Sequence, residues 1–201
     1  MAECSSVVIV TGSPVHPSRT VGLARLAEHR LTAEGIRVRT VHVRDLPAEA
    51  LLRAEFADPK IREASAWVAE ADGVIAVSPV YKAAYTGAFK AFIDLLPQFG
   101  LRGKVVLPLL VGGSAAHVLA IDYAIRPMLQ SLDPCLIVGG LFLVDKTVEW
   151  ADDGVRLTPE VATRFAQTMD AFVEGLRAHG TTGSSARRRE MDLDPAGAWP
   201  M

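Results

Sequence analysis

Behind the apolar run Val7-Val8-Ile9-Val10 the chain reads Thr11-Gly12-Ser13-Pro14-Val15-His16-Pro17-Ser18-Arg19-Thr20, which crowds hydroxyls (Thr11, Ser13, Ser18, Thr20) and one guanidinium (Arg19) into a single loop. A β-branched run of this length fits a buried parallel strand. The Gly, Ser and Pro that follow it force a turn before an amphipathic segment over 18–33. The turn therefore opens a helix, whose N-terminus presents unpaired backbone N–H groups and the positive end of its dipole. Hydroxyls and a guanidinium at that point add donors for an anion, and the chemistry they suit is phosphate capture. The plainer reading of the same residues is an ordinary strand-to-helix connection capped by Ser18.

Two later stretches are built for a different task. Ser78-Pro79-Val80-Tyr81-Lys82-Ala83-Ala84-Tyr85-Thr86-Gly87 combines aromatic, small and turn-forming residues, and Gly112-Gly113-Ser114 is a diglycine followed by a hydroxyl. Taken singly, the diglycine is a tight turn, Tyr81 and Tyr85 are rim aromatics packed on a core, and Lys82 is either an exposed lysine or a cation for an anionic ring or phosphate. Taken together with a phosphate loop, they offer what a flat heteroaromatic ring with a phosphate tail requires. The first loop has no closing Gly-Lys-Ser/Thr and lacks the three-glycine dinucleotide fingerprint, so a mononucleotide such as FMN fits it better than ATP or NAD.

These loops need a scaffold that brings them to one side. The patterning predicts strands over 6–11, 37–42, 73–78, 104–111 and 135–139, and helices over 18–33, 59–70, 86–96, 115–132 and 159–178. That alternation is an α/β fold, a doubly wound five-stranded parallel sheet of flavodoxin-like order 2-1-3-4-5 with helices on both faces. In such a sheet ligands bind beyond the carboxyl ends of the strands, and all three loops fall there. Residues 141–157 predict a small hairpin or an extension of the sheet edge.

With 201 residues, half of them hydrophobic, the chain builds one core, expected over 1–179. The composition shift beyond, with Arg187-Arg188-Arg189 and a Pro-rich end, predicts a disordered tail over 180–201. A net charge of −2 gives no electrostatic excess for nucleic acid or an anionic membrane. The N-terminal apolar run is too short for a span and lacks a basic leader, which points to the cytoplasm. Cys4 and Cys135 lie far apart, so a disulfide is not expected and Cys135 reads as a small core residue. No histidine pairs with a Cys or another His at ligand spacing, so no metal is implied. His117 reads as a helix-end or interface residue, with reach to the ligand site as the alternative, and Asp94 as a solvated residue at a helix end.

Five ordered motifs between Val7 and Glu149 carry a family resemblance. They are Gly12-Ser13-Pro14 with Pro17-Ser18-Arg19, the run Ser78 to Gly87, Lys104-Val105-Val106-Leu107-Pro108, Gly112-Gly113-Ser114, and Asp122-Tyr123-Ala124 with Pro127. In these the chain resembles the NADPH-dependent FMN reductases of the flavodoxin-like superfamily, alkanesulfonate-assimilation type. The resemblance implies that Ser13, Ser18, Arg19 and Thr20 hold the FMN phosphate, and that Pro79, Val80, Tyr81, Lys82 and Tyr85, with Gly112, Gly113 and Ser114, border the ring. It implies NADPH as reductant and FMN as a substrate that leaves, once reduced, for a separate flavin-dependent monooxygenase. Cousins on the same fold retain FMN and reduce quinones, azo dyes or metal ions, and a flavodoxin-type electron carrier would be shorter and more acidic. Hydride transfer is the cofactor's chemistry, so no triad or dyad is demanded.

The run Val118 to Ile125 is apolar over more than one helical face, which predicts a homo-oligomer, a tetramer by the resemblance. Pro127 has no N–H to offer the Tyr123 carbonyl four residues earlier, so the helix must adjust there. A proline kink or a π-bulge would serve. The resemblance favours the bulge and implies that it sets Tyr123 across a subunit interface, where it helps flavin leave.

Overall fold

The computed structural model of the protein describes residues 5–152 and 154–190. In chain order it runs β1 (Ser6–Thr11), α1 (Arg19–Ala33), β2 (Arg37–His42), α2 (Ala48–Leu52), α3 (Pro59–Glu70), β3 (Gly73–Pro79), α4 (Gly87–Ile93) and β4 (Val105–Gly112). It continues through α5 (Arg126–Gln130), β5 (Leu136–Ile137), β6 (Leu141–Val144), β7 (Val148–Ala151), β8 (Gly154–Leu157) and α6 (Pro159–Glu190). The main sheet is parallel in the expected order β2-β1-β3-β4-β5, and β6 also pairs with β4. This is the flavodoxin-like, doubly wound arrangement.

The central strands are apolar on both faces because both faces are covered. Val7 and Ile9 of β1 pack with Leu23 and Leu31 of α1 and with Met169 and Phe172 of α6. Val8 and Val10, alternating to the other side, pack with Ala64 and Val68 of α3 and Phe89 and Phe92 of α4. The α3 carboxyl end is closed by buried Lys104, whose Nζ donates to the carbonyls of Ala69 and Ala71 at 2.7 and 2.8 Å.

The fifth strand departs from its expected span. It is interrupted after Ile137 and resumes at Leu141, beside β4 residues Val105-Val106 and then Leu109–Gly112. Pro108 sits in the gap and has no N–H for the ladder, and a Cβ on Gly140 would lie 2.9 Å from the Pro108 carbonyl oxygen. Both readings of 141–157 hold in part: β6 extends the sheet, and β7 and β8 form an antiparallel hairpin. Helix α4 is shorter than expected, with Thr86 as its cap, accepting from the Phe89 amide.

The single helix expected over 115–132 is instead a 3₁₀ turn (Ala115–His117), a π-helical turn (Ile121–Ile125) and α5. Without a Pro127 N–H the ladder shifts by one residue, and the Arg126 amide donates to the Ile121 carbonyl. Cys135 corrects a second expectation: it is exposed at the sheet edge rather than buried, with Sγ 3.2 Å from the Lys104 carbonyl oxygen. Helix α6 continues to Glu190, into the segment expected to begin a tail at residue 180, and residues 191–201 lie outside the described residues. Among the described residues no helix is long and apolar enough to cross a membrane.

Candidate active site at the carboxyl edge of the sheet

Backbone and side-chain hydrogen bonds tie the three loops together. The Gly12 amide donates to Val77 of β3 at 2.8 Å, and the Thr86 hydroxyl donates to the Gly12 carbonyl at 2.6 Å. The Thr86 amide donates to Ser78 Oγ at 3.1 Å, and the Val80 amide to the Val111 carbonyl at 2.7 Å. Gly12 is required here because a Cβ would sit 2.5 Å from Phe89 Cβ. The loops enclose a cleft of about 230 Å³ lined by, among others, Ser13, Ser18, Arg19, Tyr81, Gly113 and Trp150.

One wall of this cleft is a network of buried hydroxyls. Ser13 is 1% exposed and Ser18 9%; Ser18 Oγ donates to Ser13 Oγ at 2.7 Å, and Ser13 Oγ donates to the Val15 carbonyl at 3.4 Å. Ser18 is also the α1 cap, accepting from the Val21 amide at 3.4 Å, as the plainer reading of this loop expected. Thr20 is buried in the first turn behind it.

Arg19 is half-buried and lies against the hairpin. Its Nε donates to the Val148 carbonyl at 2.7 Å, and its guanidinium carbon lies 5.3 Å from the centre of the Trp150 ring. Among the described residues it has no carboxylate partner, and its other four guanidinium donors have no protein acceptor. A second guanidinium steadies the loop from outside, with Arg44 Nη1 donating to the Val15 carbonyl at 2.8 Å.

The other two loops are shaped by backbone. Tyr81 and Ala84 exchange amide-to-carbonyl bonds of 2.9 and 3.1 Å, which puts Lys82 and Ala83 in the left-handed region at φ 51° and 63°. Tyr81 is 48% exposed at the cleft mouth. Gly112 packs against Phe142, where a Cβ would lie 2.7 Å from the ring tip, whereas a Cβ on Gly113 would meet open space. A polar, cationic end joined to a groove of small residues and an exposed tyrosine fits a phosphate-bearing flat ring such as FMN.

Of the residues singled out in the sequence, Ser13, Ser18, Arg19, Thr20, Pro79, Val80, Tyr81, Gly112 and Gly113 line the cleft. Lys82 is exposed on the turn, and Tyr85 packs on the core with its ring 6.0 Å from that of Phe89. Ser114 is exposed and caps the 3₁₀ turn by accepting from Ala116. Tyr123 is 80% exposed within the π-helical turn. These four lie outside the cleft lining. Asp145, in the 3₁₀ turn that follows β6, and Trp150 of β7 line it without having been singled out; for Trp150 nothing local marks a hairpin residue that reaches the site only by folding back on α1.

Residues 5–149 match the model of the NADPH-dependent FMN reductases. The chain is 39% identical over 170 residues to FMN reductase (NADPH) of Escherichia coli strain K12, covering 85% of this chain and 89% of that protein. It is 41% identical over 170 residues to FMN reductase (NADPH) of Pseudomonas putida strain KT2440, covering 85% and 82%. Among solved structures, the apo form of an NADH:FMN oxidoreductase (EMOB) is similar with a TM-score of 0.78 and 41% identity, over 84% of this chain and 88% of that one.

Proposed function

The chain belongs to the NADPH-dependent FMN reductase family, and from that premise we propose that it reduces FMN with NADPH in the carboxyl-edge cleft and releases the reduced flavin to a separate flavin-dependent monooxygenase. Arg19 carries the reading. A half-buried guanidinium without a carboxylate partner among the described residues, beside two buried serine hydroxyls and a helix N-terminus, is a site suited to an anion. Bound FMN supplies the hydride chemistry.

The protein's part is to bind and orient. Ser13, Ser18, Thr20 and Arg19 would take the phosphate, and Pro79, Val80, Tyr81, Gly112 and Gly113 would border the ring, with Lys82, Tyr85 and Ser114 just beyond. Replacing Arg19 by Ala removes a charge-assisted contact worth about 1.5–3 kcal/mol, so FMN affinity should fall about ten- to hundredfold in a flavin-fluorescence titration. Equal dissociation constants would take Arg19 out of the phosphate site. Release predicts that purified protein is colourless and consumes NADPH only when FMN is added, whereas yellow protein would favour a flavin-retaining reductase.

We further propose that the chain acts in the cytoplasm as a homotetramer built on the exposed Val118, Leu119 and Tyr123. Tyr123 of one subunit would then stand beside its neighbour's flavin and keep the site open for release. Deleting Tyr123 should restore a regular helical register, yield protein that retains FMN, and abolish steady-state NADPH oxidation with added FMN. A folded, colourless and fully active deletion variant would refute that role, and light scattering that finds only a 21.6 kDa monomer would refute the assembly.

A further inference from the structure

The hairpin β7–β8 lies outside the three loops yet touches the centre of the phosphate cradle. It is pressed onto α1: Val148 is fully buried, and Val155 packs so closely on Gly22 that a Cβ there would sit 2.5 Å from Val155 Cγ1. This close packing fixes the hairpin relative to the first turn of α1, where Arg19 begins the helix. Two hairpin groups then meet the Arg19 side chain, the Val148 carbonyl on Nε and the Trp150 ring beneath the guanidinium. Trp150 is 49% exposed and lines the cleft.

A guanidinium is a planar fork, and an arginine side chain is long and rotamer-rich. Left alone in a loop, it would have to be ordered each time an anion bound. With Nε committed to Val148 and the guanidinium carbon over the indole at 5.3 Å, the fork is already restricted before the anion arrives. The remaining donors are the pair of Nη groups, the edge suited to bidentate phosphate recognition.

We propose that Trp150 is a positioning residue for Arg19, so that the hairpin sets the affinity of the cleft for the phosphate of FMN. The inference rests on the reading of the cleft as a phosphate site. It makes Trp150 act through Arg19 and not through the flavin ring.

The test is a double-mutant cycle of R19A, W150A and the combined variant, with dissociation constants for FMN and for riboflavin, which has the same ring and no phosphate. W150A should weaken FMN about fivefold, the scale of a partly desolvated cation–π contact, and leave riboflavin unchanged. W150F, which keeps an aromatic face, should restore FMN affinity to within about twofold of the parent. In the R19A background W150A should have no further effect. Equal weakening of FMN and riboflavin would make Trp150 a platform for the ring and overturn the proposal. So would a W150A effect that persists without Arg19, or unchanged FMN affinity in W150A. Unchanged affinity in R19A alone would instead refute the phosphate reading, and this inference with it. Thermal melts of each variant check the fold, and Trp150→Leu, which keeps apolar bulk without an aromatic face, carries the test if W150A fails to fold: it should weaken FMN and spare riboflavin as W150A does.

Discussion

The loop after β1 and the loop after β3 border one cleft and are built in opposite ways. The first turns its polar groups inward: Ser13, Ser18, Val15 and Gly12 are joined by hydrogen bonds to each other, to Thr86 and to Arg44. The second turns outward, with Tyr81, Lys82 and Ala83 exposed and two non-glycine residues in left-handed backbone. A loop that captures a small anion gains from being pre-wired, because donors fixed in advance lose little freedom on binding. A loop that brings its backbone up to a flat ring can use its own shape, at a conformational cost of about 1–2 kcal/mol per left-handed residue.

The sharpest way to break this contrast is to loosen the wired side. In Gly12→Ala the new methyl must displace Phe89 at its Cβ, which the helix backbone fixes, so we expect a loss of about 2–3 kcal/mol. For a chain of this size that lowers Tm by roughly 4–12 °C in a calorimetric or circular dichroism melt. Gly113→Ala, whose Cβ enters open space, should stay within about 0.5 kcal/mol of the parent. Similar losses for the two would mean that the β1 loop is no tighter than the diglycine.

The opposite effect is expected on the ring side. Ala83→Gly relieves a left-handed alanine, offset by the greater freedom that glycine gives the unfolded chain, and should stabilise by about 0.5–1 kcal/mol. A denaturant titration read at unchanged m-value measures this. A loss of stability would show that the Tyr81–Ala84 turn holds no strain.

The contrast also explains what could be read from the sequence. Strands β1 and β2 were legible to the residue because β-branched runs ended by Gly, Ser or charged residues leave little choice of boundary. The placement of Ser13, Ser18 and Arg19 on the cleft was legible because it follows from local order, a strand, a turn and a helix start. Periodicity failed where the ladder is irregular. It could show that Pro127 must disturb a helix, but not that the run before it divides into 3₁₀ and π-helical turns. Nor could it show that Pro108 leaves a gap filled by Gly140, because that gap is a property of two strands meeting. Trp150 and Arg44 were out of reach for the same reason: each meets the site from an element distant in sequence, and nothing near either residue marks it.

The smallest expected effect tests the wired side at its root. His42 ends β2 opposite Thr11, with Nδ1 2.9 Å from the Thr11 hydroxyl just before the loop after β1 begins. Burial pulls its pKa below the ordinary 6.5; Arg44 and Arg25 push the same way, and Asp45 and Glu28 partly oppose them. On acidification the unfolded chain therefore takes up this proton first. Neutral His42 contributes stability that is fully present above about pH 6.5 and is lost as pH falls through the lowered folded value. His42→Gln keeps a polar partner for Thr11 and does not titrate. The parent should accordingly lose slightly more stability than H42Q between pH 7.5 and pH 5, a difference visible as diverging Tm profiles in parallel melts. Parallel profiles would mean that the end of β2 is open enough for the proton to enter without cost, and that the wiring of the first loop begins only at Gly12.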